Sequence, residues 1–329
     1  MLVDAHNRTI RDLRVSLTDR CNFRCFYCLP NGEPPLARKD TILTFEEITK
    51  ICEIFIDLGI QKIRLTGGEP LLRKDVEKLV EQLSVHKPKL KDLALTTNGH
   101  SLPTRAKQLK ESGLDRVTIS LDSLKPDKFK EITGVNKLGE VLEAIEAAKT
   151  AGLFPIKINA VIIRDYNDDE IIDFAKFALE NDVSMRFIEF MPLDSGHDWK
   201  REMVVSGKEI RDKINEAFPI ELKQKSRGRE TAWNYKFSNS THGEIGIIAP
   251  VTEMFCGACS RIRLTADGQI RTCLFSNTEH NLRDVIRNNT SKNEVVNFIK
   301  QVVSQKEASH QINKSDFIQP SRTMSFIGG

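Results

Sequence analysis

The feature that most restricts how this chain can fold is an alternation of β-rich runs with stretches of helical period, sustained through the first two thirds of its 329 residues. Strand-like runs fall at 14–18, 61–66, 92–97, 116–121, 155–163 and 183–190. One helical stretch opens on Thr44 and Glu47 as a capping box, carries Phe45, Ile48, Cys52 and Phe55 on one face, and stops at Gly59. Others span 73–85, 103–112, 138–151 and 168–181, with Gly113 and Gly152 as stops. Strands that alternate with helices predict a parallel sheet, because parallel pairing needs a long crossover and a helix supplies it. Six units are too few for an eight-unit barrel, which leaves a partial barrel or a doubly wound open sheet.

In either fold the chemistry gathers at the carboxyl ends of the strands, where the connecting loops converge. A cysteine loop follows the first strand, Gly67-Gly68-Glu69-Pro70 the second and Thr97-Asn98-Gly99 the third; Ser120 closes the fourth and Met191 follows the sixth. After residue 192 the pattern changes. A linker, Asp194-Ser195-Gly196-His197-Asp198, leads to a helix near 206–217, short strands near 231–237, 244–248, 260–264 and 269–275, and a helical tail at 281–308 that runs on to Gly328-Gly329. The expected division is 1–225 for the main α/β unit and 226–329 for a smaller β-rich extension.

The seven cysteines fall as Cys21, Cys25 and Cys28, then Cys256, Cys259 and Cys273, with Cys52 alone. Clustered thiols in an intracellular chain favour metal binding over disulfides, since a reducing cytosol keeps them free. Each triad is one short of the four ligands that a structural zinc site normally closes with, and the histidine nearest the first is His6, ahead of the first strand. Cys52 sits on an apolar helical stripe and reads as a core thiol. Two clusters, each with one open iron, account for the two triads. The histidines, His86, His197 and His242 among them, show no ligand spacing and read as surface or loop residues. With 49 basic and 46 acidic residues, the net charge of +3 gives no reason to expect a nucleic acid. No run approaches 18 apolar residues and the first residues hold no apolar core, so a cytoplasmic protein without membrane segments is expected.

Cys21-x3-Cys25-x2-Cys28, with Tyr27 before the last cysteine and Gly67-Gly68-Glu69-Pro70 beyond, resembles the radical S-adenosylmethionine enzymes. The second triad, the run Arg261-Ile262-Arg263 and the closing Gly328-Gly329 narrow the resemblance to the GTP 3′,8-cyclase family of molybdenum cofactor biosynthesis. It implies a partial (β/α)6 barrel of the TIM type, with a smaller C-terminal β-rich extension that carries the second cluster. Cys21, Cys25 and Cys28 then correspond to ligands of a [4Fe-4S] cluster that binds S-adenosylmethionine, beside Tyr27, Gly68, Ser120 and Met191. Cys256, Cys259 and Cys273 correspond to ligands of a second [4Fe-4S] cluster that meets the guanine base. Arg14, Arg64, Thr96, Lys157, Arg261, Ile262 and Arg263 correspond to GTP contacts, Arg261 and Arg263 also to catalytic residues, and the double-glycine tail to a segment that enters the active site.

The resemblance further implies a lyase that takes hydrogen from C3′ of GTP and joins C3′ to C8, giving (8S)-3′,8-cyclo-7,8-dihydroguanosine 5′-triphosphate. It implies an external one-electron reductant of flavodoxin or ferredoxin type and cyclic pyranopterin monophosphate synthase downstream, and it admits a homodimer. A twin-cluster peptide- or protein-modifying enzyme is the alternative, although such relatives carry more cysteines in this region. Arg64 and Lys157 lie within apolar runs, where an unpaired charge is costly and a phosphate supplies the partner. Thr96, Ser120 and Met191 also fit ordinary strand or core positions, and the role of Glu189 is open.

Overall fold

The computed structural model describes residues 1–29, 36–193, 198–288 and 290–328. Six β/α units open the chain: β1 (Asp12–Ser16) and α1 (Phe45–Asp57), β2 (Lys62–Thr66) and α2 (Val76–Ser84), β3 (Asp92–Thr97) and α3 (Ala106–Glu111), β4 (Arg116–Ser120) with α4 (Pro126–Thr133) and α5 (Leu138–Thr150), β5 (Lys157–Ile162) and α6 (Ile171–Asn181), and β6 (Ser184–Glu189) with α7 (Gly207–Ala217). They are followed by β7 (Ile220–Leu222), β8 (Trp233–Phe237), β9 (Glu244–Ile248), β10 (Arg261–Leu264), β11 (Gln269–Arg271), β12 (His280–Asn281), α8 (Leu282–Arg287), α9 (Lys292–Ser304) and α10 (Met324–Ile327). The Thr44 capping box forms as expected: its hydroxyl accepts from the Glu47 N–H at 3.2 Å and the Glu47 carboxylate accepts from the Thr44 N–H at 2.8 Å. Cys52 is fully buried on the inward face of α1 with Ile48 and Phe55.

Two features escape the periodicity. One is α4, a short helix with Pro126 in its first turn and Gly134 as a left-handed cap. The other is where the late strands go. Among the described residues all twelve strands form one sheet, in the order β12-β11-β10-β1-β2-β3-β4-β5-β6-β9-β8-β7. Rather than building a sheet of their own, the C-terminal strands lengthen the sheet of the partial barrel at both edges. β10 runs parallel to β1 and β9 parallel to β6.

That pairing decides where the second triad lies. Because β10 is parallel to β1, the residues ahead of it, Cys256 and Cys259, sit at the amino ends of the barrel strands. β11 is antiparallel to β10, so Cys273, which follows it, returns to the same end. The first triad follows β1 and occupies the carboxyl end. The two triads therefore face each other along the barrel from opposite mouths.

Glu189, at the end of β6, does not face the barrel interior as a catalytic group would. Its carboxylate is fully buried and accepts from the N–H groups of Gly207 and Val251 at 2.8 Å and Thr252 at 3.0 Å, and from the Thr252 hydroxyl. It pins the start of α7 and the turn after β9 to the sheet. Glu189→Ala strands four donors, two of them the buried N–H groups of Gly207 and Val251, and at about 1 kcal/mol for each buried one the expected loss is about 2 kcal/mol, read as a lower urea midpoint.

Candidate functional site

The barrel strands surround a cavity of about 320 Å³ that extends from one triad to the other. All six triad cysteines line it, together with Tyr27, Gly68, Ser120, Met191, Arg14, Arg64, Thr96, Arg261 and Arg263. Lys157 lines an adjoining chamber of about 230 Å³ at the amino ends of the strands, which shares Arg14, Arg64, Arg186, Thr231 and Arg261 with the main cavity. Ile262 sits differently from its two neighbours. Side chains alternate along β10, so Arg261 and Arg263 point inward while Ile262 is buried in the apolar core and lines neither chamber.

At the carboxyl mouth the loop after β2 clamps the cysteine loop. The Gly68 N–H donates to the Thr18 carbonyl and the Glu69 N–H to the Arg20 carbonyl, both at 2.7 Å. A Cβ on Gly67, whose φ is +150°, would lie 2.6 Å from the Thr18 carbonyl oxygen, and one on Gly68 would run into the Arg20 carbonyl. Only side-chain-free residues let the two loops approach this closely. Glu69 is buried and accepts from the Leu71 N–H at 2.9 Å, the Thr97 hydroxyl at 2.8 Å and the Asn98 N–H at 2.7 Å; burial nevertheless raises its pKa to about 7. It knits the loops after β2 and β3 into one floor. Asn98 in turn donates to the Asn22 side chain at 2.8 Å.

Tyr27 donates to Asp122 at 2.6 Å, and Asp122 also accepts from the Val161 N–H at 2.9 Å. Burial lifts Asp122 to about 6 despite those bonds. Asp122 is not among the expected site residues, yet an acid two residues beyond Ser120 on a catalytic rim is a usable signal. Burial also drives up the thiols of Cys25 and Cys28, the latter to about 12. Thiols so placed stay protonated unless an electrophilic metal displaces the proton, and thiolate sulfur is the soft donor that iron–sulfur cores require. All six triad thiols are free. Among the described residues, no three His, Cys, Asp or Glu side chains gather tightly enough to hold a single metal ion.

Between the mouths the interior is cationic. Arg263, Arg14 and Arg64 occupy the same level of β10, β1 and β2, in direct register. Neighbouring strands lie about 4.8 Å apart, and like charges directly opposite destabilise a sheet. Among the described residues none of these three, nor Arg186 or Lys157, has a carboxylate within ion-pair distance. Arg64 donates only to the hydroxyls of Thr96 at 3.2 Å and Thr118 at 3.1 Å. Burial, then repulsion from Arg263 and Arg261, depresses Arg14 far below the usual arginine range, and burial with Arg14 does the same to Arg64. Burial and Arg186 lower Lys157 to about 7, burial and Arg116 lower Arg186 to about 10, and burial and Arg261 lower Arg263 to about 9. Such a constellation is built for a polyanion. Arg186 was missed although it carried the signal that singled out Arg64, a charge inside an apolar strand.

At the amino mouth Cys256 and Cys259 bracket one tight turn, with the Cys259 N–H donating to the Cys256 carbonyl at 3.1 Å. Burial pushes the Cys259 thiol up, but Arg261, whose guanidinium lies 3.3 Å from its sulfur, and Lys306 bring it down to about 7. His310 lies in a loop, as expected of the histidines, but not at the surface: it lines the cavity, buried against Phe275 with ring centroids 5.2 Å apart. The chain's final helix, α10, also turns inward. Met324 and Ser325 line the cavity, and Arg263 donates to the Gly328 carbonyl. Gly329 and the linker residues Asp194–His197 lie outside the described residues. No helix among the described residues is long and apolar enough to cross a membrane.

Comparison with known proteins shows the family. Residues 15–178 match the Radical SAM superfamily and residues 183–312 match Molybdenum Cofactor Synthesis C. A GTP 3′,8-cyclase of Streptomyces coelicolor is 43% identical over all of this chain and 96% of its own length. One from Syntrophomonas wolfei is 41% identical over the full length of both. Among solved structures, Streptococcus suis SuiB bound to S-adenosylmethionine superposes with a TM-score of 0.63 at 16% identity, covering 90% of this chain and 69% of SuiB. Likeness at that identity bears on the fold alone.

Proposed function

The chain belongs to the GTP 3′,8-cyclase family within the radical S-adenosylmethionine superfamily, and from that premise we propose how its own residues divide the work. It is a lyase of molybdenum cofactor biosynthesis that converts GTP to (8S)-3′,8-cyclo-7,8-dihydroguanosine 5′-triphosphate, and it uses S-adenosylmethionine with iron–sulfur chemistry. Cys21, Cys25 and Cys28 would hold one [4Fe-4S] cluster and Cys256, Cys259 and Cys273 a second, each with one iron open. When bound, the first of these and S-adenosylmethionine supply the one-electron chemistry that starts the reaction, drawing on an external reductant of flavodoxin or ferredoxin type.

The protein's contribution is placement. Tyr27, held by Asp122, and Gly68, Ser120 and Met191 line the carboxyl mouth and bind the cosubstrate there. The observation that carries the substrate reading is the row Arg263–Arg14–Arg64, in register and, among the described residues, with no carboxylate at ion-pair distance. A triphosphate gives those guanidiniums the oxygens they lack, in the bidentate geometry that arginine favours. With Arg186 and Lys157 on the facing strands, the triphosphate would be gripped near the middle of the barrel, with Thr96 alongside. The nucleoside then lies between the mouths, in a lumen that excludes bulk water and leaves the reacting C–H bond few other partners. Arg261 and Arg263 would stand nearest the guanine and the second cluster, and Arg263 also anchors the tail. The product then passes to cyclic pyranopterin monophosphate synthase.

Lys157 makes this testable by pH. Its folded pKa, near 7, lies below the usual lysine value, and a bound phosphate raises it again. Above pH 7 the free site must take up a proton to bind GTP. Apparent affinity is therefore expected to fall as pH rises from 7 to 9, by up to about tenfold per unit, with proton uptake visible in calorimetry as a buffer-dependent enthalpy. Lys157→Gln should flatten the dependence. An unchanged pH profile in that variant would remove Lys157 from the phosphate site.

A further inference from the structure

Arg8 belongs to none of the motifs above. The chain ahead of β1 folds back on itself, with Val3 bridged to Thr9 and Asn7 in the left-handed region at φ 60°. Asp4 Oδ1 accepts from the N–H groups of His6 and Arg8 at 2.9 Å, and Asp4 Oδ2 pairs with Arg8 Nε at 2.6 Å; the two side chains of the pair are 0% and 6% exposed. The rest of the guanidinium points away from this turn. Nη1 donates to the carbonyls of Cys256 at 2.9 Å and Ala308 at 2.8 Å, and Nη2 donates to the Glu307 carbonyl at 2.5 Å.

One buried side chain thus ties together the turn that carries Cys256 and the strip 307–308, which are remote in sequence. The same strip holds the other arm of the second triad. Lys306 Nζ donates to the Thr272 carbonyl, and the Thr272 hydroxyl donates to Glu307 Oε2 at 2.8 Å, immediately before Cys273. Cys256 and Cys259 share one turn, whereas Cys273 reaches them only across the β10–β11 hairpin. Arg8 thus links the two arms by way of the strip 306–308.

We propose that the Asp4–Arg8 pair is a positioning clasp for the second triad: it sets the Cys256 turn against the strip that braces Cys273, so that three thiols can close on one cluster. This rests on the two-cluster reading above. The arrangement depends on a planar fork with several N–H groups, which lysine lacks. A clasp differs from a mere staple of the fold in what its loss removes. The carboxyl mouth, with Cys21, Cys25 and Cys28, makes no contact with Arg8 among its hydrogen bonds, so its cluster should be untouched.

The test uses the full chain, purified and reconstituted anaerobically, as wild type, Arg8→Lys, Arg8→Gln and Asp4→Asn. Two cubanes predict about eight irons in the wild type and about four in Arg8→Gln. The electron paramagnetic resonance signal that responds to S-adenosylmethionine should persist in the variant, while the second signal disappears or shifts. Formation of 5′-deoxyadenosine without GTP should stay within about twofold of wild type, the cyclised product should be lost, and Arg8→Lys and Asp4→Asn should be intermediate. Eight irons with two wild-type signals in Arg8→Gln overturn the clasp. Loss of both clusters in equal proportion in Arg8→Gln and in the milder Arg8→Lys also overturns it, by assigning Arg8 to the fold alone. Four irons in the wild type itself overturn the two-cluster reading and the clasp with it.

Discussion

Cys256→Ala, reconstituted anaerobically, is expected to retain about four irons per chain, to cleave S-adenosylmethionine still, and to form no measurable cyclised nucleotide. The reason is the separation of the two mouths. Cys256 and Cys259 precede β10 at the amino ends of the strands, whereas Cys21, Cys25 and Cys28 follow β1 at the carboxyl ends. Removing a ligand from one end leaves the other with its own loop, its own clamp at Gly67-Gly68 and its own floor at Glu69. Uncoupled 5′-deoxyadenosine formation should therefore continue within a few-fold of wild type. The nucleotide, however, would lose the group that, on the two-cluster proposal, orders its base at the amino mouth. Misplacement of a reacting bond by about 1 Å can cost about 10²-fold, and losing the whole anchor should cost more than about 10³-fold. Iron analysis and product chromatography on one preparation check both halves of the prediction. Equal loss of both activities would mean that the triads form one interdependent centre.

The second large effect concerns Arg64. Arg64→Met is expected to weaken GTP binding by about 10- to 100-fold, since hydrogen bonds to charged groups contribute about 1.5–3 kcal/mol. The same change should leave the nucleotide-free protein as stable or make it more stable. Arg64 is half-buried beside Arg14 with no carboxylate at ion-pair distance, and Arg14 adds to the desolvation that depresses its pKa. Substituting an apolar side chain of similar length removes a desolvated charge and a repulsion together. Stability and binding then move in opposite directions, as expected where a site is assembled at the expense of the fold. Thermal unfolding without nucleotide and equilibrium binding of GTP to the reconstituted protein provide the comparison. A variant that loses stability and keeps affinity would make Arg64 an ordinary structural residue.

Much of this architecture was legible in the chain because the signals are local. The capping box at Thr44, the apolar stripe of α1 and the alternation of runs need only neighbouring residues, and they place six strands within a few positions of where they form. The first triad is equally local, since one loop carries its three thiols. What stayed hidden depends on pairing between distant segments. No period in Arg261-Ile262-Arg263-Leu264 says that it will lie parallel to Asp12-Leu13-Arg14-Val15, and that pairing alone puts the second triad at the opposite mouth. The late strands read as a separate β-rich extension for the same reason. His310 and Arg8 were invisible as site residues because their meaning comes from neighbours far away in sequence. Arg186 and Asp122 are different cases: a charge inside an apolar strand and an acid on the rim are local signals that the sequence does carry.

The central claim is that the cavity between the mouths holds GTP with its ribose presented to the chemistry at Cys21, Cys25 and Cys28. Incubation of the reconstituted protein with S-adenosylmethionine, a low-potential reductant and GTP deuterated at C3′ tests it most directly, with both products read by mass spectrometry. The expected result is deuterium in 5′-deoxyadenosine and a cyclised nucleotide that has lost it. Unlabelled 5′-deoxyadenosine beside intact GTP would contradict the account.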